Sequence, residues 1–378
     1  MNTGEPVVQL LADLVAIPSM NPMGLGRTGI EYSEGQIAEF VASYLRAGGI
    51  DVQVDERVPG HPNVIGHIDV GARQSVMLEA HLDTVSADNM EIEPFSPRIA
   101  AGKLYGRGAC DTKGSLAAFL HATRSLVDQK QKPKYNIVIV GTADEEYRFT
   151  GAQRAIAQGL KADFGIAGEP TSMHIVHAHK GVTRWKIVTH GVAAHSAYPE
   201  RGENAIYTMG HILTRLEEYS LQLVEQQAHP LLGTPSLSIG VIQGGQAVNV
   251  VPDRCWIELD RRTLPGETLE AVLQPVRQLL REVPRWDFEE PHVSVGGMEV
   301  RPGAACIATL SRAIANVVGE TTVEAAQYAT NAGVYNSIGI PTVVFGPGNI
   351  AQAHTSSEYI ELEQLLQATE IITRLLTQ

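Results

Sequence analysis

The chain has 378 residues, 44% of them hydrophobic and 19% charged, a globular balance that excludes fibrous and disordered classes and leaves room for one large domain or two ordinary ones. A formal charge of −13 argues against nucleic acid or an anionic membrane surface as partner, because both repel an acidic protein. No apolar run approaches the ~20 residues that span a bilayer, and no basic-then-apolar leader opens the sequence, so a cytoplasmic protein without a signal peptide is expected.

From Pro6 to about Arg46 apolar residues fall at helical spacing: Val8, Leu11, Leu14 and Val15, then Ile37, Phe40, Val41 and Leu45. Gly48-Gly49 stops the second helix. Residues 51–54 alternate as a strand, and 64–68 form another, expected at an edge of the sheet. Runs at 76–78, 137–140, 164–167 and 342–345 read as fully buried strands, with an amphipathic helix over 114–128 among them. Short buried strands alternating with helices predict an α/β fold, a mixed and mostly parallel sheet flanked by helices. Between about 180 and 295 the pattern changes to strand (185–188), helix (204–219), two alternating strands (236–241 and 254–260), helix (268–283) and strand (292–295). This βαββαβ order predicts an inserted ferredoxin-like α+β domain, with 1–179 and 296–378 forming the domain around it.

Chemistry-bearing residues collect just after the buried strands, and parallel strands all end on one side of a sheet. His81 and Asp83 share a face of an extended chain, so one imidazole nitrogen can bind metal while a carboxylate holds the other. Asp111 follows the Gly106/Gly108 loop before a helix; a helix N-cap is the ordinary reading and a bridge between two cations the functional one. Asp144-Glu145-Glu146 places three acids together, which is costly unless cations or protons neutralise them. Here one Glu can bind metal while its neighbour takes a proton from water. Glu169 and His354 each follow a further buried run. Two His, one Asp and two Glu without thiolate suit Zn²⁺, Co²⁺ or Mn²⁺, and an Asp shared between two ions is the composition of a two-metal hydrolytic site.

Other residues read more plainly. His174, His177 and His179 have tempting spacing but no acid nearby, and a structural role is expected. Cys110, Cys255 and Cys306 are an odd number at unrelated spacings, which reads as free thiols in a reducing compartment. His195 lies in a Gly- and Ala-rich loop, where both an ordinary loop histidine and a substrate-facing one stay open.

The segments EAHLDTV (79–85), YGRGACDTKG (105–114), DEE (144–146), GEPT (168–171), HKG (179–181), GVAAHSAYPERGENAI (191–206), NVVPDRCWIELDRRTLPGE (249–267) and FGPGNIAQAH (345–354) resemble the M20 family of metallo-aminoacylases and exopeptidases. The resemblance covers nearly the full length and falls in the branch of acetylornithine deacetylase and succinyl-diaminopimelate desuccinylase. The surroundings of Cys110 and the GPG-x-I-x-Q-A-H run lean toward the deacetylase side.

The resemblance implies a zinc-exopeptidase-like fold and two divalent ions, Zn²⁺ first, with Co²⁺ or Mn²⁺ also fitting. His81 and Glu169 would hold one ion, Glu146 and His354 the other, and Asp111 would bridge. Asp83 would orient His81, and Glu145 would be the general base. The inserted domain would act as a lid and dimerise, with His195 reaching a site across the dimer to stabilise an oxyanion. Lys180, Asn249 and Arg262 would bind the substrate's carboxylate end. The activity implied is hydrolysis of an N-acyl amino acid in a homodimer, with carboxypeptidase, dipeptidase or desuccinylase action as alternatives. Asn331 stands where many relatives carry an acid, a change expected to bear on how substrate is placed.

Overall fold

The computed structural model describes residues 4–378, which fall into two compact units. The larger contains the chain up to His177 with Glu299–Ala325 and Thr330–Gln378, and the smaller contains Ala178–Met298 with Ala326–Ala329. Among the described residues no helix is long and apolar enough to cross a membrane.

The larger unit is built on a nine-stranded sheet. Its order begins Asp51–Asp55, Asn63–Ile68, Asn136–Thr142, Ser75–His81, Phe164–Ala167, Thr342–Val344 and Ile175–His179. The strand Ser75–His81 runs parallel to both its neighbours, and Thr342–Val344 runs parallel to Phe164–Ala167. The outer pairings are antiparallel. Asn63–Ile68 is therefore interior rather than an edge; the edge is Asp51–Asp55, whose polar, half-exposed residues suit that position. The four central parallel strands are buried on both faces because helices cover them. Lys113–Asp128 and Leu362–Thr377 pack on each other, flanked by Pro6–Val15 and Ala305–Val318. A separate pair, Thr150–Ala157 and Asn331–Ser337, packs together, the first against Asn136–Thr142 and the second against Phe164–Ala167 and Thr342–Val344.

The consequence for function lies at the strand ends. Ser75–His81, Asn136–Thr142 and Phe164–Ala167 are in parallel register, His81 opposite Thr142 and Glu79 opposite Ala167. The residues that follow them in sequence thus emerge together at one rim.

The smaller unit has a five-stranded sheet in the order Ser236–Gly244, Arg254–Thr263, Gly181–His190, with Trp286–Phe288 and Val293–Val295 both on the far side of Gly181–His190. Alternation decides its faces. Cys255, Ile257 and Leu259 point into a core with Trp185, Ile187, Met209, Leu216 and Val276, while Trp256, Glu258 and Asp260 point away. Helices Ala205–Val224 and Leu269–Leu280 supply the other half of that core. Asn204 and Thr268 cap them by accepting backbone N–H groups. The order of strands and helices is that of a ferredoxin-like α+β unit.

Candidate metal centre

His81 closes the strand Ser75–His81 with its imidazole buried. Nδ1 lies 2.8 Å from the main-chain oxygen of Asp83, which holds Nε2 toward the rim. Nε2 meets Asp111 Oδ1 at 3.1 Å and Glu169 Oε2 at 3.9 Å. The other oxygen of Asp111, Oδ2, lies 3.3 Å from His354 Nε2, and that nitrogen lies 3.2 Å from Glu146 Oε2. The five side chains form a continuous series, Glu169–His81–Asp111–His354–Glu146, with Asp111 at its centre. Glu145 joins on the His81 side, where ligand atoms of His81, Glu145 and Glu169 all lie within 4.8 Å of one another.

Asp111 is not a helix cap. The helix Lys113–Asp128 begins after Thr112, and the peptide bond between Asp111 and Thr112 is cis. The Thr112 hydroxyl donates to the Gly168 carbonyl at 2.6 Å, tying the Asp111 loop to the one carrying Glu169.

Asp83 lies directly beside His81, with both its carbonyl and its carboxylate facing Nδ1. Its carboxylate is 3.6 Å from His81 Nδ1, farther than its own carbonyl. The carboxylate also accepts from Glu145 N–H and Glu146 N–H, each at 3.1 Å, and from Asn21 Nδ2 at 2.8 Å. It organises the turn that presents the two glutamates. Asn21 also donates to Asp144 at 3.0 Å, and buried Glu34 accepts Asp144 N–H at 3.1 Å while pairing with His61 Nδ1 at 2.6 Å. Asp144 itself sits at φ 60, a conformation uncommon for a residue with a side chain, and these bonds hold it there. The acidic turn is thus an anchored structure rather than a solvated loop.

The electrostatics match this crowding. Burial pushes the Glu145 and Glu169 carboxyls well above their ordinary range, with neighbouring acids adding to the push and His81 opposing it. Burial, then Asp111, also raises Glu146. Burial opposes ionisation of Asp111, yet hydrogen bonds from His354 and His81 outweigh it and hold that carboxyl well below its usual range. Hydrogen bonds to Asp111 and Glu146 raise the His354 imidazole to about 10. So many acids at such distances are stable only when protons or cations balance them. Carboxylate oxygens and imidazole nitrogens at these spacings fit divalent cations. Cys110 is not part of the donor set: its Sγ points to the Asn349 carbonyl at 3.4 Å, and burial pushes its thiol up.

Asn331 lies in the interior of the fold. It is 1% exposed and donates from Nδ2 to Glu79 Oε1 at 2.8 Å and Thr142 Oγ1 at 3.0 Å, beneath His81. His177 is structural, bonded through Nδ1 to the Val300 carbonyl at 2.8 Å, and His179 is fully buried.

The remaining expected residues belong to the smaller unit. His195 is exposed; its Nδ1 accepts Ala197 N–H at 3.0 Å, which leaves the proton of a neutral ring on Nε2. Asn249 is exposed and its carbonyl accepts Ser196 N–H. Arg262 pairs with Asp260 at 2.8 Å, and Lys180 donates to the Thr234 carbonyl at 2.6 Å. Burial, then Arg261 and Arg262, lowers the Lys180 ammonium from its ordinary range. Motif reading passed over Asn21, Glu34, Arg107 and Glu358. Glu358 had one visible signal, an acid four residues after a candidate ligand and directly before the strand Tyr359–Glu361.

Residues 77–378 match the model of peptidase family M20/M25/M40. The acetylornithine deacetylase of Myxococcus xanthus is 34% identical over 310 residues, covering 80% of this chain and 79% of its own. That of Photorhabdus laumondii is 31% identical, covering 98% and 96%. Among solved structures, the M20 family metallo-carboxypeptidase of Sulfolobus solfataricus superposes with a TM-score of 0.80 at 19% identity, covering 98% of each chain. The chain belongs to peptidase family M20/M25/M40 and is a metal-dependent hydrolase of amide C–N bonds.

Proposed function

We propose that the chain removes the acyl group of an N-acyl amino acid, as an acetylornithine deacetylase does, with two divalent ions at its centre. One observation carries the two-ion reading: Asp111 presents one oxygen to His81 and the other to His354, and each imidazole has its own glutamate. His81 and Glu169 would hold one ion, Glu146 and His354 the other, with Asp111 shared. Zn²⁺ is the first choice, and Co²⁺ or Mn²⁺ satisfy the same donors. When bound, such ions supply Lewis acidity, polarising the scissile carbonyl and lowering the pKa of water toward about 7.

The chain's residues do the rest. Glu145 takes a proton from the attacking water on a carboxylate oxygen and delivers it to the leaving nitrogen as the C–N bond breaks. The hydroxyl of that water ends on the acyl carbon, so the products are a free carboxylic acid and the amino acid. His195 donates from Nε2 to the carbonyl oxygen as charge develops there. Lys180, Asn249 and Arg262 bind the substrate carboxylate; burial, then Arg261 and Arg262, lowers the Lys180 ammonium, which places these cations near one another within the smaller unit. Residues 1–179 and 296–378 form the catalytic domain in this reading, and 180–295 a lid that also dimerises. The edge strand Ser236–Gly244 supports dimerisation, because it is unpaired on one side and exposes Val241 and Ile242. Buried free cysteines accord with a cytoplasmic location.

A panel of N-acetyl and N-succinyl amino acids, dipeptides and C-terminally extended peptides, assayed with added Zn²⁺, Co²⁺ or Mn²⁺, tests the assignment. N-acetyl amino acids should be hydrolysed fastest. Preference for the succinyl compounds would make it a desuccinylase, and preference for peptides an exopeptidase.

A further inference from the structure

Glu358 is a fully buried carboxylate that the reaction outlined above does not use. Its Oε1 accepts Cys110 N–H at 2.9 Å and Asp111 N–H at 3.0 Å; its Oε2 accepts Gly108 N–H at 3.0 Å and Arg107 Nη1 at 2.7 Å. Its main-chain oxygen accepts Gly106 N–H at 3.1 Å. The whole loop from Gly106 to Asp111 is therefore wound around one residue. Three of its backbone donors and the Arg107 guanidinium converge on one carboxyl group, each oxygen of which accepts two of them.

The same residue reaches a second candidate ligand. Arg107, 1% exposed, pairs with Glu358 through Nη1 and donates through Nη2 to Asn89 Oδ1 and the Ser86 carbonyl, each at 3.0 Å. Asn89 Nδ2 in turn donates to the His354 carbonyl at 3.2 Å. His354 sits at φ 62, a conformation disfavoured for a residue with a side chain, so its backbone needs outside support to stay there. Glu358 follows His354 by four residues in the chain. One buried ion pair thus fixes the backbone of Asp111 directly and that of His354 through Arg107 and Asn89.

We infer that Glu358, with Arg107, is the positioning residue that sets the separation of Asp111 and His354 and thereby the affinity of the metal centre. An ordinary loop staple would make the same bonds but would leave metal affinity untouched in a folded protein. The inference rests on Asp111 and His354 being ligands.

The test uses the full-length protein. Zn²⁺ affinity is measured by chelator competition, the Co²⁺-loaded form by its visible absorption, and the metal-free form by thermal unfolding. In Glu358→Gln an amide NH₂ replaces one acceptor oxygen and faces backbone donors. Removing such outer partners weakens metal binding by about 10–100-fold in other metalloproteins, and a loss in that range is expected at temperatures where the variant is fully folded, with a changed Co²⁺ spectrum. Glu358→Asp, which keeps the charge, should fall between wild type and Glu358→Gln. Affinity within twofold of wild type in folded Glu358→Gln would overturn the inference.

Should Glu358→Gln not fold, the same twofold criterion applies to Glu358→Asp. Hydrogen exchange on metal-free wild type needs neither variant: the amides of Gly108, Cys110 and Asp111 should be protected, and exchange at open-loop rates would equally overturn it. Asp111→Ala separates the two levels of the argument. If that variant binds metal as wild type does, the ligand assignment itself has failed and the inference falls with it, an outcome distinct from wild-type affinity in Glu358→Gln alone.

Discussion

Asp83→Asn distinguishes two ways in which a buried aspartate can serve this centre. The Asp83 carboxylate has three donors: Oδ1 accepts Glu145 N–H, while Oδ2 accepts Glu146 N–H and Asn21 Nδ2. Asparagine retains one acceptor oxygen. That oxygen will take the Oδ2 position, because two donors wait there, and the new NH₂ will face Glu145 N–H. The substitution therefore removes one charge-assisted hydrogen bond, worth about 1.5–3 kcal/mol, at the residue proposed as the base. His81 keeps its partner, the main-chain oxygen of residue 83 at 2.8 Å.

If the loss falls on the placement of Glu145 in the transition state, kcat drops by roughly 10- to 150-fold at about 1.4 kcal/mol per tenfold. KM and metal affinity should change little. Steady-state kinetics at saturating metal, with chelator competition for affinity, reads both quantities. A tenfold or greater loss of metal affinity together with wild-type kcat once metal is saturating would refute the reasoning. That outcome would return Asp83 to orienting His81 through its carboxylate.

Three further outcomes follow from neighbouring residues. Glu145→Gln should keep its metal and lose about 10²–10⁴-fold in kcat, checked by metal analysis beside turnover; near wild-type turnover would remove Glu145 as the base. His61→Ala should destabilise the protein more at pH 8 than at pH 5.5, by about 1.5–3 kcal/mol at the higher pH, in paired urea titrations. The sign comes from Glu34, whose carboxyl is raised by burial to about 7 against an ordinary value of 4.5. Stability tied to its protonated form is present below the unfolded value and lost as pH rises through 7, and above that the carboxylate depends on His61, whose own pKa the pairing raises. Asn331→Asp places a second carboxyl against buried Glu79 and should cost stability increasingly as pH rises, measured by thermal unfolding, while leaving KM for the preferred substrate unchanged.

The residues proposed to do chemistry were legible because their constraint is local. A ligand that ends a buried strand must be polar where its neighbours are apolar, and His81, Glu169 and the pair Glu145-Glu146 stand out against Ala80, Ala167 and Ala143 for that reason. The residues that hold them were not legible. Asn21 lies 62 positions from Asp83, and Glu358 lies 247 from Asp111; their hydrogen bonds exist only once the sheet and loops have closed. Asn331 misled in the same way. Its type suggested a missing charge at the substrate, whereas its depth made it a donor to Glu79. Helix Asn331–Ser337 has only seven residues and two asparagines, too short for periodicity to mark it. The edge of the sheet was misjudged because residues 51–54 and 64–68 both read as short strands, and only the pairing partners decide which is interior.

The strand Thr342–Val344 has a consequence for how the chain matures. It occupies the slot between Phe164–Ala167 and Ile175–His179, two strands separated by a short loop that do not pair with each other. During synthesis that slot stays open while the whole of Ala178–Met298 is made, because its occupant comes later. His81, Asp111, Glu145, Glu146 and Glu169 have all emerged by then, whereas His354 and Glu358 have not. A growing chain holds four carboxylates against a single imidazole until residues 342–358 arrive, and that one segment brings together the missing sheet strand, the second imidazole and the carboxylate around which the Asp111 loop is wound.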